Sequence, residues 1–247
     1  MLVRIKASDV AACIGRHQYK PRAEVIDSMW KRYWPSTFEG LTKEDRAQEA
    51  LSNSTEAQEI IRKTLKIRAK DSNEANAIMA KAREQITLDA KLSDAQKVEV
   101  IEHIRSKVST THGTRSEDLT ADKVTADEGA TLVRDEAFYQ KHIASINGID
   151  FCITGKIDRI EERPDGSRVL VEIKNRMNRL FRKVPEYEMI QVQVYLQMLN
   201  LVQARLIEQH NNQVASHDIE RDDVLWRQEI LPALVNFCEE IVEKASV

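Results

Sequence analysis

A chain of 247 residues has room for one large domain or two small ones, and its 42% hydrophobic and 31% charged residues are those of an ordinary soluble globular protein. Its net charge of −3 does not advertise a nucleic-acid binder, and no apolar run approaches the roughly 20 residues of a membrane span. The start MLVRIKASD lacks the long apolar core of a secretory signal. Three scattered cysteines, with no CxxC pair, indicate a reducing, intracellular and cytoplasmic setting without a disulfide frame, and six dispersed histidines without HExxH give no zinc site.

In chain order, KASDVAACIGRHQYKPRAEVIDSMWKRYW predicts two helices: Ser8 caps the first, Gly15 closes it, and Pro21 opens the second. From Leu41 to Ser109 the sequence is polar and free of Pro, and of Gly after Gly40. Small apolar residues recur at helical spacing (Ala47, Ala50, Leu51, Ala57, Ile61, Leu65, then Ala75, Ile78, Ala82, Ile86), which predicts about three helices. Such thin stripes suit packing against a main domain more than an independent core. Another helix covers THGTRSEDL.

The periodicity then changes. DEAFYQKHIASINGIDFCITGKIDRIEE and SRVLVEIKN predict three strands, with Asn147-Gly148 a strong hairpin signal. PEYEMIQVQVYLQMLNLVQ predicts a helix with Tyr187, Ile190, Val194, Tyr195, Met198 and Leu201 on one face. Two strands flank Asn211-Asn212, and a last helix covers DDVLWRQEILPALVNFCEEIVEK. The order predicts an α/β (α+β) fold with a central mixed β-sheet flanked by helices.

The turn RPDGS fits a type I turn at Pro164-Asp165 followed by a left-handed Gly166. Arg163 then pairs with Ser167, which sets Asp158 opposite Glu172 and Lys156 opposite Lys174, with Cβ atoms about 4.5–5.5 Å apart. Facing carboxylates repel unless a cation or a shared proton intervenes. A hard divalent ion, Mg2+ or Mn2+, resolves this and activates water for attack at a phosphoryl group, with Lys174 beside it to hold or polarise the water. The alternative is a surface hairpin with a Lys–Glu ladder. Lys174, Arg176, Arg179, Arg182 and Lys183 follow with no acid among them, either a solvated basic loop or a phosphate-binding patch.

An Asp on one strand and Glu-x-Lys on the next resemble the signature of the PD-(D/E)XK nuclease superfamily, with IDRI in place of its Pro-Asp. HGTRSED resembles the Gly-x-x-x-Glu motif of its exonuclease branch, which includes lambda-type exonucleases and YqaJ-type viral recombinase nucleases. QVQVY resembles that branch's Gln-x-x-x-Tyr, and KASDVAACIG with YKP resembles its opening helix beside the DNA end. The resemblance implies a restriction-endonuclease-like core in a single nuclease domain, divided into N-terminal helices (1–40), a helical insertion (41–110) and a catalytic region (111–247).

It further implies a Mg2+- or Mn2+-dependent deoxyribonuclease that digests double-stranded DNA ends 5′-to-3′ in recombination, of viral or phage type, with a single-strand annealing or recombination partner and a trimeric homo-oligomer. Asp158, Glu172, Glu117 and the Ile173 carbonyl are its implied metal ligands, with Lys174, Gln191 and Tyr195 catalytic and Ser8, Lys20, Arg22 and Arg176 contacting DNA. Each has a plainer reading: Glu117 as a solvent-facing helix acid, Gln191 as a core hydrogen bonder, Tyr195 as core, Ser8 as a cap. Two rivals stand beside the exonuclease: a junction-resolving endonuclease on the same core, and a non-catalytic DNA-binding scaffold.

Overall fold

Strand β1 (Leu2–Lys6) opens the chain where no element is expected from the sequence. Val3 and Ile5 are buried while Arg4 and Lys6 face solvent, the period-two alternation of a strand. A computed structural model describes residues 1–245. Because β1 uses the residues before it, Ser8 falls inside a short 3-10 turn at Ala7–Asp9, exposed, and caps nothing. The turn leads into α1 (Val10–Cys13). Gly15, at φ +76°, then ends it with the Arg16 N–H bonded to the Ala11 carbonyl at 2.7 Å, and Pro21 precedes α2 (Arg22–Tyr33) as anticipated.

The polar segment folds as α3 (Lys43–Ser52), α4 (Thr55–Lys66), α5 (Ser72–Leu88) and α6 (Asp94–Glu128). Each begins at a side chain that accepts from a free backbone N–H: Thr42 and Ser93 in capping boxes, Ser54 and Asp71 as single caps. Two expectations need correction. These helices form a core of their own, in which Leu51, Ile60, Ile86, Leu92, Val100 and Ile104 are buried together. And α6 runs unbroken across residue 110, so the helical segment and the HGTRSED motif share one 35-residue element.

The remaining elements are β2 (Thr131–Arg134), β3 (Tyr139–Ile146), β4 (Ile149–Gly155), β5 (Arg159–Glu162), β6 (Arg168–Asn175), α7 (Glu186–Leu199), β7 (Gln203–His210), β8 (Gln213–Glu220), α8 (Asp223–Leu225) and α9 (Leu231–Ala245). A π turn at Trp226–Ile230 joins the last two just before Pro232, which cannot supply a helical N–H. The single strand expected over 149–162 breaks at Lys156–Asp158, and with it the single central sheet. β4 pairs in parallel with β1 and antiparallel with β3; β5 joins a second sheet in the order β2-β5-β6-β7-β8, where β6 and β7 are parallel. The fold is α/β, with two mixed sheets flanked by helices.

Register follows the turn chemistry. Arg159 pairs with Val171 and Glu162 with Arg168, and Gly166 takes φ +82° as the RPDGS turn requires. Strand β6 is covered on both faces: Leu170 enters the main core with Leu196, Leu206 and Phe237, while Val171 and Ile173 pack with Ile207 against Ala121 and Val124 of α6. Glu172 shares the Leu170 face, on the side of α7. That helix is buried nearly all round rather than on one stripe, Glu188, Val192 and Gln193 included.

Candidate active site

Glu172 lies in the middle of this packing and is 4% exposed. Its Oε1 accepts from Lys174 Nζ at 2.8 Å and from Gln191 Nε2 at 2.9 Å, and Gln191 Oε1 accepts from Lys174 Nζ at 3.2 Å. Carboxylate, ammonium and amide thus close a three-membered ring of hydrogen bonds between β6 and α7. Gln191 is half-buried with both its amide nitrogen and its amide oxygen bonded, which answers why an amide occupies a largely apolar helix.

Asp158 sits at the break between β4 and β5, one position beyond the last β5–β6 pair. There its Oδ2 accepts from the Ile173 N–H at 2.7 Å. Burial first, then the charges of Glu172 and Glu117, raise the Asp158 carboxyl well above the usual range, against the lowering pull of that N–H. Burial and then Glu172 also raise Glu117, on α6. Burial works against the Lys174 ammonium, but Glu172, Glu188 and Asp158 outweigh it and hold the ammonium above its ordinary value. Three carboxylates therefore act on one another around a single lysine.

The break that places Asp158 is itself held in place. Tyr195 donates its hydroxyl to the Lys156 carbonyl at 2.8 Å, and a Cβ on Gly155 would stand 2.7 Å from the Tyr195 ring. This contact replaces the expected pairing of Lys156 opposite Lys174: the β5 ladder ends at Arg159 and Lys156 turns out to solvent. Tyr195, one helical turn beyond Gln191, is buried and acts through the backbone. Gly113, one turn before Glu117, has nothing within 4 Å of its Cβ position, so packing does not demand a glycine there.

The residues read from the sequence as DNA contacts divide. Ser8 is exposed, and Lys20 pairs with Asp9 at 2.6 Å. Arg22 donates to the Cys13 carbonyl at 2.7 Å, pairs with Glu240 and lies over the Phe237 ring, tying α2 to α1 and α9. Arg176 donates twice to Glu188, at 2.5 and 2.6 Å, lies 3.1 Å from Glu208 and stacks on Phe181. Its side chain is 10% exposed. The terminal nitrogens of Arg176 are spent on Glu188 and Glu208 inside the protein, whereas the Arg22 side chain, bonded through Nε and Nη1, is still 33% exposed.

Sequence reasoning missed Arg159, whose guanidinium donates to the Asp158 carbonyl at 2.6 Å and pairs with Asp118 of α6. It braces the metal-ligand candidate against the helix that carries Glu117. It also missed Glu188, because an acid in the first turn of a helix reads as an ordinary partner of the helix dipole, and Glu208, because its partner Arg176 lies 32 residues away on another element.

Among the described residues, no group of three or more His, Cys, Asp or Glu side chains is gathered into a ready metal cage. The donor chemistry of Asp158 and Glu172 nevertheless fits a hard divalent cation: both offer carboxylate oxygens, Glu172 is buried and Asp158 half-buried, and Asp158 carries a raised carboxyl beside a like charge. Also among the described residues, no helix is long and apolar enough to cross a membrane.

A family model described as the PD-(D/E)XK nuclease superfamily matches residues 16–228. No curated protein matches the chain. Among solved structures, an alkaline exonuclease (LHK-Exo) from Laribacter hongkongensis is 16% identical, with a TM-score of 0.42 over 81% of this chain and 94% of its own. A phage-related exonuclease from Haemophilus somnus 129PT is 12% identical, with a TM-score of 0.45 over 98% of this chain and 96% of its own. The match spans α7 and every strand that frames Asp158, Glu172 and Lys174: the chain belongs to the PD-(D/E)XK nuclease superfamily.

Proposed function

We propose that the chain is a metal-dependent exonuclease that hydrolyses phosphodiester bonds at double-stranded DNA ends, with 5′-to-3′ polarity, in recombination or DNA processing. The observation that carries this reading is the convergence on Glu172. The Glu-x-Lys pair and the Gln of Gln-x-x-x-Tyr, widely separated in sequence, meet at one carboxylate oxygen beside Asp158.

Nucleases of this superfamily generally use divalent metal ions. Asp158 and Glu172 are the proposed ligands, with Glu117 and the Ile173 carbonyl completing the set. Mg2+ or Mn2+ bound there would supply Lewis-acid activation of water and neutralise charge on the scissile phosphate. The chain's own groups do the rest. The Ile173 N–H fixes the rotamer of Asp158, and Gln191 fixes Lys174, whose ammonium is a donor for the attacking water or a non-bridging phosphate oxygen. Tyr195 holds the strand break that puts Asp158 in place. The exonuclease reading, over an endonuclease on the same core, is supported by the Gly113-to-Glu117 and Gln191-to-Tyr195 motifs. Assembly as a trimer and hand-over of the exposed strand to an annealing protein belong to the same reading.

The test compares linear duplex with covalently closed circular duplex, each with Mg2+ or Mn2+, beside Asp158→Ala and Lys174→Ala. Progressive shortening of the linear DNA, survival of the circle and inactivity of both variants are expected. Equal cutting of the circle would assign an endonuclease. Variants as active as the parent would remove this site from the chemistry.

A further inference from the structure

The segment between β6 and α7 begins and ends at the candidate site, since Lys174 precedes it and Gln191 follows it on α7. It has no regular secondary structure, yet it is pinned along its length. The Asn175 side chain bonds the Gly113 carbonyl at 3.1 Å and the Thr120 hydroxyl at 2.8 Å, both on α6. The Arg176 carbonyl accepts from Ser72 Oγ at 2.7 Å and the Met177 carbonyl from Asn76 Nδ2 at 2.8 Å, both on α5. The Phe181 N–H donates to Glu208 Oε2 at 2.8 Å, and Val184 is buried in the main core. Glu208 is fully buried, an unusual place for a carboxylate unless its charge is used to fix something.

Between these pins the chain presents cations outward. Arg179, Arg182 and Lys183 are exposed and, among the described residues, make no ion pair or side-chain hydrogen bond. Three exposed cations thus lie within five residues of one anchored loop, with no acid paired to them among the described residues. A nucleic-acid backbone is the occupant that matches: a row of anions that must pass the site for Lys174 to meet its phosphate. We propose that residues 178–183 are a phosphate-backbone clamp, in which Arg179, Arg182 and Lys183 hold the DNA strand entering the site. Arg176, Phe181, Glu188 and Glu208 form the buried strut that holds the loop rigid. This rests on the nuclease reading above and assigns the strand-holding part of that site.

The test is binding of a labelled duplex in EDTA, by anisotropy, across a salt series. Arg179→Gln/Arg182→Gln/Lys183→Gln is compared with the parent and with Lys81→Gln/Arg83→Gln/Lys244→Gln, which removes the same charge from exposed positions elsewhere. The loop variant is expected to bind at least about tenfold more weakly, with the slope of log K against log salt flattened by about 0.9 for each lost contact. The control keeps the parent's affinity and slope, and Arg179→Lys/Arg182→Lys keeps most of both. A loop variant that binds like the parent, or a control that weakens equally, overturns the clamp while leaving the nuclease assignment standing. A parent that neither binds nor digests DNA overturns both.

Discussion

Two buried charge clusters stand two residues apart at the end of β6, and they are balanced in opposite ways. Around Glu172, three carboxylates face one ammonium, and the carboxyls of Asp158 and Glu117 are forced upward by burial and then by the charge of Glu172. Around Arg176, two carboxylates share one guanidinium. Burial opposes its charge, but Glu188 and Glu208 overcome this and raise its pKa. His217 Nε2 lies 3.4 Å from Glu208 as a further partner. The Arg176 set pairs its charges internally, although Arg176 Nε, Glu208 Oε1 and His217 Nε2 are left without hydrogen bonds. The other is short of positive charge, a shortage that the divalent cation of the proposed function would make good.

The comparison predicts opposite signs for the same kind of mutation. The largest effect is expected from Arg176→Met, which strands two buried carboxylates and should lower stability by about 3–5 kcal/mol in urea unfolding. Adding Glu188→Gln and Glu208→Gln should recover much of that loss. A single Arg176→Met within about 1 kcal/mol of the parent would show the strut to be ornamental.

Asp158→Asn should go the other way. In metal-free buffer it removes a like charge while an amide oxygen can still accept from the Ile173 N–H, so stability should be unchanged or higher by up to about 2 kcal/mol. Hydrolysis should be lost. Excess Mg2+ or Mn2+ should raise the Tm of the parent and not that of the variant, about 2.7 kcal/mol of stabilisation at a hundredfold excess over Kd. If Asp158→Asn destabilises as Arg176→Met does, the two clusters are alike and the charge shortage is not real.

The smallest expected effect is on Gln191→Met, which keeps side-chain volume but breaks the ring of bonds. Stability should fall by about 1 kcal/mol, the net worth of a hydrogen bond or two. The hydrolysis rate at saturating DNA should fall further than that, because Lys174 loses one of its two anchors. A rate loss no larger than the stability loss would make Gln191 a packing residue.

What could be read from the sequence follows from the range of the forces involved. The RPDGS turn fixes its own register, so the alignment of β5 with β6, and with it the nearness of Asp158 to Glu172, was legible. The Asn147 and Asn211 turns were legible for the same reason, each asparagine taking positive φ. The break at Lys156–Asp158 was not, because it is imposed by Tyr195, a side chain distant in sequence. Strand β1 escaped notice because its partner β4 lies across the whole intervening chain, although Val3 and Ile5 carry the alternation. The arginines misled most. A guanidinium after Glu-x-Lys looks like a phosphate ligand until the acids of α7 and β7 are seen to claim it.

Helix α6 is one uninterrupted rod of 35 residues, about 52 Å end to end. One of its halves is built into the helical core through Val100 and Ile104, and the other carries Glu117 to within reach of the charge of Glu172. The azimuth of that acid is therefore set by arithmetic as much as by contact. A single residue inserted between Val108 and Glu117 would swing it by about 100° and aim it at solvent, whereas the linkers between α3, α4 and α5 carry no such phase. The helical segment thus serves the site as a fixed shaft, whose length and pitch dictate where the third carboxylate points.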